Sequence, residues 1–236
     1  YNVYSFCRWA DDLGDVLGDT AESLRLLSWW RQELNAMYAG EAKHPVFVAL
    51  MGTVKKCSLP QILFDDLIKA FEQDQTVTRY RNFPELFEYC RYSANPVGRL
   101  VLGLCGYQDE ERYALSDATC TALQLANLWQ DVTVDLGKDR VYLPLDLLAK
   151  YGYPVELLWE RKFDDRFRGA MREAVDVAHD AGQAADVAVR VQDRGFLGPG
   201  GPVAQQFHGV VSSYNVSPPS ITTSKRPQTQ PLSDNP

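Results

Sequence analysis

Positive charge is scarce in this chain: 24 Lys and Arg stand against 31 Asp and Glu, a net charge of −7. That balance argues against binding nucleic acid by bulk electrostatics. Histidine is scarcer still. His44, His179 and His208 are scattered, which leaves no Cys/His metal constellation and no Glu-x-x-His pair of the kind a di-iron carboxylate bundle needs. The five cysteines, Cys7, Cys57, Cys90, Cys105 and Cys120, contain no C-x-x-C pair. In apolar helical contexts they read as reduced core residues of a cytoplasmic protein, not as zinc ligands or a disulfide set. There is no signal peptide and no apolar run approaching the ~20 residues of a membrane span. Strand patterns are missing as well, and so is a G-x-G-x-x-G loop for a dinucleotide.

What is present is helix. At 236 residues, with 45% apolar and 11% aromatic content, the chain suits one domain with a large core. Leu24, Leu27, Trp30, Leu34 and Met37 recur at steps of three or four over 20–39, with Gly40 as a C-terminal cap. His44-Pro45 opens a second helix to about Cys57, and Ser58-Leu59-Pro60 a third to about Gln75. Asn82-Phe83-Pro84-Glu85 supplies a cap with an acid three positions on, leading into 86–105. A long helix is expected over about 155–191. The fold class expected is all-α.

The chain is organised around Ala118–Asp139. On a helix, Gln124, Asn127, Asp131 and Asp135 would share one stripe, while Leu123, Leu125, Leu128, Trp129 and Val132 make the remaining faces apolar. Carboxylates in such surroundings are costly without a positive partner. The stripe has no Lys or Arg, so a metal ion is the obvious candidate. Tyr4, Arg8, Asp11 and Asp15 repeat the device near the start, at steps of four, three and four. Two such helices facing across a cavity would hold several hard divalent cations bridged by an anionic substrate. Either D-x-x-x-D alone is commonplace in so acidic a chain; the pair, with matching polar neighbours, is not.

Two further features bear on a ligand. Asn95-Pro96 interrupts the helical pattern of 87–104, where Pro removes a backbone hydrogen bond and clashes one turn back. The break reads either as an ordinary kink between two helices or as a bend that opens ligand space and exposes the Asn95 amide. Past the second acidic stretch, Arg140 and Lys138 in KDRVYLP are placed to meet a phosphate, with Arg the better fork for its oxygens. Asp74 and Arg79 lie in a third polar cluster, EQDQTVTRY.

Three stretches, YSFCRWADDLGD (Tyr4–Asp15), FEQDQTVTRYRNFPELFEYCRYSANPVGRL (Phe71–Leu100) and LQLANLWQDVTVDLGKDRVYLP (Leu123–Pro144), resemble the squalene/phytoene synthase family. The likeness covers about residues 1–175. SANPVG, and Gln130 just before the second acidic motif, resemble its bacterial hydroxysqualene synthase branch most. The resemblance implies an all-α isoprenoid synthase bundle around a central cavity. It implies Mg²⁺ as cofactor, held by Asp11 and Asp15 from one motif and by Asp131 and Asp135 from the other. Asn127 matches a metal or diphosphate ligand and Gln124 a neighbouring polar contact. Tyr4 and Arg8 match diphosphate contacts, while Asp74 and Tyr89 match cavity-lining positions near the reacting carbons. The implied substrate is a prenyl diphosphate. In the hydroxysqualene branch that is presqualene diphosphate, whose rearranged cation is captured by water with no NADPH, and Asn95 is expected to position that water. A protein handling so apolar a molecule is expected to touch a membrane surface peripherally.

The domain expected is residues 1–180, incomplete at both ends because the chain opens inside a helix without an initiator Met. Residues 181–236, rich in Gly, Pro, Ser and Thr, read as a disordered tail, consistent with a truncated or frame-shifted gene model. Three functional readings compete: water capture of the cation, head-to-head condensation of two farnesyl or geranylgeranyl diphosphates, and a non-catalytic helical scaffold. Retention of all four motif aspartates weighs against the scaffold.

Overall fold

The computed structural model describes residues 1–15 and 19–192, apart from the side chains of Asp15 and of residues 184–192. Helices follow one another: α1 (Asn2–Asp15), α2 (Thr20–Tyr38), α3 (Pro45–Cys57), α4 (Gln61–Asp74), α5 (Phe83–Ser93), α6 (Asn95–Leu104), α7 (Glu110–Gln130), α8 (Val132–Asp135), α9 (Leu145–Lys150) and α10 (Asp165–Gln192). Among the described residues the only β-pairing is a single parallel bridge between Arg79 and Val141.

Caps and breakers set most boundaries. Asp19 accepts hydrogen bonds from the Ala21 and Glu22 amides at the start of α2, and Gly40 follows that helix with φ +89°. His44 caps α3 with Pro45 in its first turn. The Asn82 side chain accepts from the Glu85 amide at 3.0 Å, while Glu85 accepts from the Arg81 amide at 2.7 Å, two orphan donors satisfied at the entry to α5. The Pro96 fault is a true break: α5 stops at Ser93, Ala94 takes φ −119° and ψ −48°, and α6 restarts at Asn95.

Two apolar cores result. The first joins α1 to α4 around Phe6, Trp30, Phe47 and Phe64, where the Phe6 ring meets Phe64 edge-on at 5.0 Å. The second packs α5, α7, α9 and α10 around Leu86, Leu125, Trp129, Leu147 and Phe167, with Ala170, Ala174 and Ala178 as a small-residue face of α10. The α6–α7 crossing is closer still. A Cβ on Gly98 would lie 2.2 Å from Ser116 Oγ and 2.6 Å from Cys120 Sγ, so only glycine fits. Cys7, Cys90 and Cys120 are buried as expected, and burial pushes the Cys90 and Cys120 thiols up to about 12 and about 11, into the unreactive range. Cys105 departs from the expectation: it caps the end of α6 and is exposed.

α10 continues through Gln192, past the boundary expected at 180. The remainder of the expected tail, 193–236, lies outside the described residues.

Candidate active site

Between the two cores the packing opens into a cavity of about 150 Å³ that is open to solvent at its mouth. Its lining is divided by chemistry. Asp11, Asp74, Gln124, Asn127, Asp131, Asp135, Lys138 and Arg140 contribute polar groups, while Leu67, Ala70, Phe71 and Leu128 supply an apolar wall. Tyr89, Ser93 and Tyr142 complete it.

The second acidic stretch reaches the cavity by a route the sequence did not suggest. The expected continuous helix ends at Gln130. Asp131 takes φ −92° and ψ 11° as a cap, and α8 then runs only to Asp135 before a 3₁₀ turn, Leu136–Lys138. The interruption is mild. The Asp131 amide donates to the Asn127 carbonyl at 3.0 Å and the Asp135 amide to the Asp131 carbonyl at 2.9 Å. Four-residue steps therefore persist across it, and Gln124, Asn127, Asp131 and Asp135 still share the cavity wall. The helix is less buried than expected, with Leu123 39% exposed and Val134 54%.

The 3₁₀ turn is anchored from a distance. Val141 donates to the Thr78 carbonyl at 2.9 Å and Leu145 to the Tyr80 carbonyl at 3.0 Å. Arg79 donates to the Asp139 carboxylate at 2.7 Å and also to its carbonyl, holding Asp139 at φ 53°, while its guanidinium lies over the Trp159 ring. Arg140 is thereby brought to the cavity, where it donates to the Asp74 carbonyl at 2.9 Å.

On the opposite side Asp11 enters from α1. Gln75 donates to the Gly14 carbonyl at 3.0 Å and the Ser23 hydroxyl to the same oxygen at 3.3 Å, pinning the end of α1 to α4 and α2. Tyr4 and Arg8 do not line the cavity. Tyr4 is 47% exposed, and Arg8 pairs along its own helix with Asp11 at 3.2 Å and Asp12 at 2.7 Å. Asp15 ends α1, and its side chain lies outside the described residues. Asn95 also misses the lining; its amide oxygen accepts from the Thr121 hydroxyl at 3.0 Å.

Tyr89 lines the cavity as expected, in company with two residues not singled out from the sequence: Tyr80, Tyr89 and Tyr142 form an aromatic wall with centroids 5.4–5.7 Å apart. The Tyr89 hydroxyl donates to Asp74 at 3.1 Å. Burial, and after it the Asp74 charge, raises the pKa of all three phenols, so they stay protonated donors. Ser93, the last residue of α5, has a buried hydroxyl with no hydrogen-bond partner among the described residues, an arrangement that costs about 1–3 kcal/mol. Its apolar sequence setting gave no hint of this.

Electrostatics favour a cation at the acidic end. Burial first, and then the nearby Asp131 charge, pushes the Asp135 carboxyl up to about 6, against the opposing pull of Arg140 and Lys138. Among the described residues no three acidic, His or Cys side chains already converge on one metal position. The donors are hard oxygens on facing elements, which suits Mg²⁺, an ion that uses one or two carboxylates and completes its shell with water and substrate phosphates.

An all-helical bundle that sets acidic side chains from two separate segments around a part-apolar cavity belongs to the isoprenoid synthase class of folds. The chain is a member of the squalene/phytoene synthase family, whose model matches residues 1–206. It is 34% identical over 187 residues to a phytoene synthase of Arthrospira platensis, a match covering 72% of this chain and 59% of that one. To the hydroxysqualene synthase of Zymomonas mobilis it is 36% identical over 154 residues, 63% of this chain and 50% of the relative. The crystal structure of squalene synthase HpnC from Alicyclobacillus acidocaldarius superposes with a TM-score of 0.73 at 36% identity, covering 90% of this chain and 80% of that one. The chain thus spans 50–59% of the length of these curated relatives.

Proposed function

We propose that this chain is part of a Mg²⁺-dependent prenyl diphosphate enzyme that ionises presqualene diphosphate and captures the resulting cation with water, giving hydroxysqualene. One observation carries the reading. A single cavity is lined both by Asp11, Asn127, Asp131, Asp135, Lys138 and Arg140 and by the apolar Leu67, Ala70, Phe71 and Leu128. That division matches a substrate with a diphosphate head and an isoprenoid body. The similarity to squalene synthase HpnC and to a hydroxysqualene synthase supports the choice of branch.

Breaking the carbon–oxygen bond requires neutralising the charge that gathers on the departing pyrophosphate. Asp11, Asn127, Asp131 and Asp135 would hold Mg²⁺, whose Lewis acidity supplies most of that neutralisation. Arg140, its guanidinium steadied on the Asp74 carbonyl, and Lys138 bind the remaining diphosphate oxygens. The cation left behind is shielded by the apolar wall and faces the Tyr89 and Tyr142 rings, whose π-faces stabilise positive charge. Tyr89 is kept in place by its hydrogen bond to Asp74. Water capture needs no nicotinamide reductant. Substrate and product partition into lipid, so we expect peripheral contact with a membrane surface.

Head-to-head condensation of two prenyl diphosphates is the second reading, favoured by the Arthrospira phytoene synthase relative. Incubation with Mg²⁺ and presqualene, farnesyl or geranylgeranyl diphosphate separately, followed by mass spectrometry, decides between them. Hydroxysqualene from presqualene diphosphate alone is the expected result. Presqualene diphosphate or phytoene formed from the shorter diphosphates, with presqualene diphosphate left unused, would overturn it.

A further inference from the structure

Water capture needs a water molecule held at one place in a cavity built to exclude water, and the sequence pointed to Asn95 for that task. Asn95 is not among the residues lining the cavity, and its amide oxygen accepts from Thr121 on α7. Two residues earlier, Ser93 lines the cavity with a buried hydroxyl that has no hydrogen-bond partner among the described residues. Its place follows from the backbone. Because Pro96 cannot continue the helix, α5 ends on Ser93, one turn beyond Tyr89, and both residues line the cavity. A buried hydroxyl left unsatisfied by the fold calls for a ligand atom. The same cavity is lined by Leu67, Ala70 and Leu128, which suit an isoprenoid carbon.

Building on the hydroxysqualene reading, we propose that the Ser93 hydroxyl seats the water that captures the carbocation, and so directs the reaction to an alcohol and not to a hydrocarbon. Gln124 and Asp74 line the same cavity and provide the further polar partners that a held water requires. The step balances without oxidant or reductant. The carbon–diphosphate bond breaks with its electron pair leaving on pyrophosphate. A lone pair of the seated water forms the new carbon–oxygen bond, and the extra proton of the resulting oxonium passes to the released pyrophosphate. Ser93 gains and loses no atoms; it accepts a hydrogen bond from the water and aims its free lone pair at the cation.

The test compares wild type, Ser93→Ala and Ser93→Thr with presqualene diphosphate and Mg²⁺, reading pyrophosphate release, product composition and thermal unfolding. In Ser93→Ala we expect pyrophosphate release within about threefold of wild type. The alcohol fraction should fall at least about tenfold in favour of hydrocarbons formed by proton loss, a change of about 1.4 kcal/mol in the partition. Ser93→Thr, which keeps the hydroxyl, should restore most of the alcohol, and the unfolding temperature of Ser93→Ala should not fall. An unchanged alcohol fraction in Ser93→Ala would overturn the role of Ser93 while leaving the hydroxysqualene reading intact. So would a lowered unfolding temperature with all products reduced in proportion, the signature of a purely structural residue. If wild type gives no alcohol from presqualene diphosphate, the parent reading falls and this one with it.

Discussion

In metal-free buffer at pH 7, Asp135→Asn is expected to raise the unfolding temperature of this protein. Burial and the Asp131 charge push the Asp135 carboxyl from 3.8 to about 6, so the fold holds its ionised form at a disadvantage. Each pKa unit corresponds to about 1.4 kcal/mol, which sets a ceiling near ~3 kcal/mol. Asp135 is only half-buried, and solvent screening reduces that to about 1–2 kcal/mol. The sign follows from proton binding. With a folded-state pKa above the unfolded one, the folded protein binds more protons between about pH 4 and pH 6, so stability falls as pH rises through that window and is flat above it. Wild type should therefore lose stability across the window. Asp135→Asn, which has nothing to titrate there, should lose less. At 2–4 °C per kcal/mol for a domain of this size, the variant gains roughly 2–8 °C at pH 7, and the two should coincide below about pH 4. Calorimetric scans with a chelator over pH 4–8 make the comparison. A gain that persists unchanged at pH 4, or a loss at pH 7, would refute the claim that this carboxylate is strained by its surroundings.

Gly98→Ala should destabilise the fold by about 1–3 kcal/mol in urea titration, since its Cβ would meet Ser116 Oγ at 2.2 Å and Cys120 Sγ at 2.6 Å. Arg79→Ala should weaken pyrophosphate binding by roughly 3–10-fold in calorimetry, a loss of about 1 kcal/mol, because the Arg79 fork on Asp139 steadies the turn that carries Lys138 and Arg140. Arg79→Lys should recover only part of it, as an ammonium can neither fork nor stack on Trp159.

The helices were legible because apolar residues keep a 3.6-residue period and because Asn82, His44-Pro45 and Pro96 mark starts and breaks by local chemistry. The cavity's acidic half was legible for the same reason: residues three or four apart on one helix stay together even when Asp131 interrupts it. Of the stripe on α1, Asp11 lines the cavity and Tyr4 and Arg8 do not. Tyr4 and Asp11 share a face but sit about 10 Å apart along the axis. Packing of Phe6 and Ala10 into the first core brings Asp11 to the cavity and leaves Tyr4 in solvent. Nothing before Gly137 announces the break at Asp131. The clamp of Arg79 on Asp139 spans sixty residues, beyond any periodicity. Ser93 and Tyr142 look like ordinary helix and loop residues until both cores are in place, since a cavity is defined by what two separate cores fail to fill.

The central claim is that acidic side chains from α1 and from the α7–α8 junction act together on one diphosphate. Anomalous scattering from a crystal soaked with Mn²⁺ in place of Mg²⁺ and a non-hydrolysable prenyl thiodiphosphate addresses it directly. Manganese peaks are expected within about 2.2 Å of carboxylate oxygens of Asp11 and of Asp131 or Asp135, with the thiodiphosphate between them and its isoprenoid tail along Leu67, Phe71 and Leu128. Metal bound to one side alone, or a tail lying outside the cavity, would contradict the account.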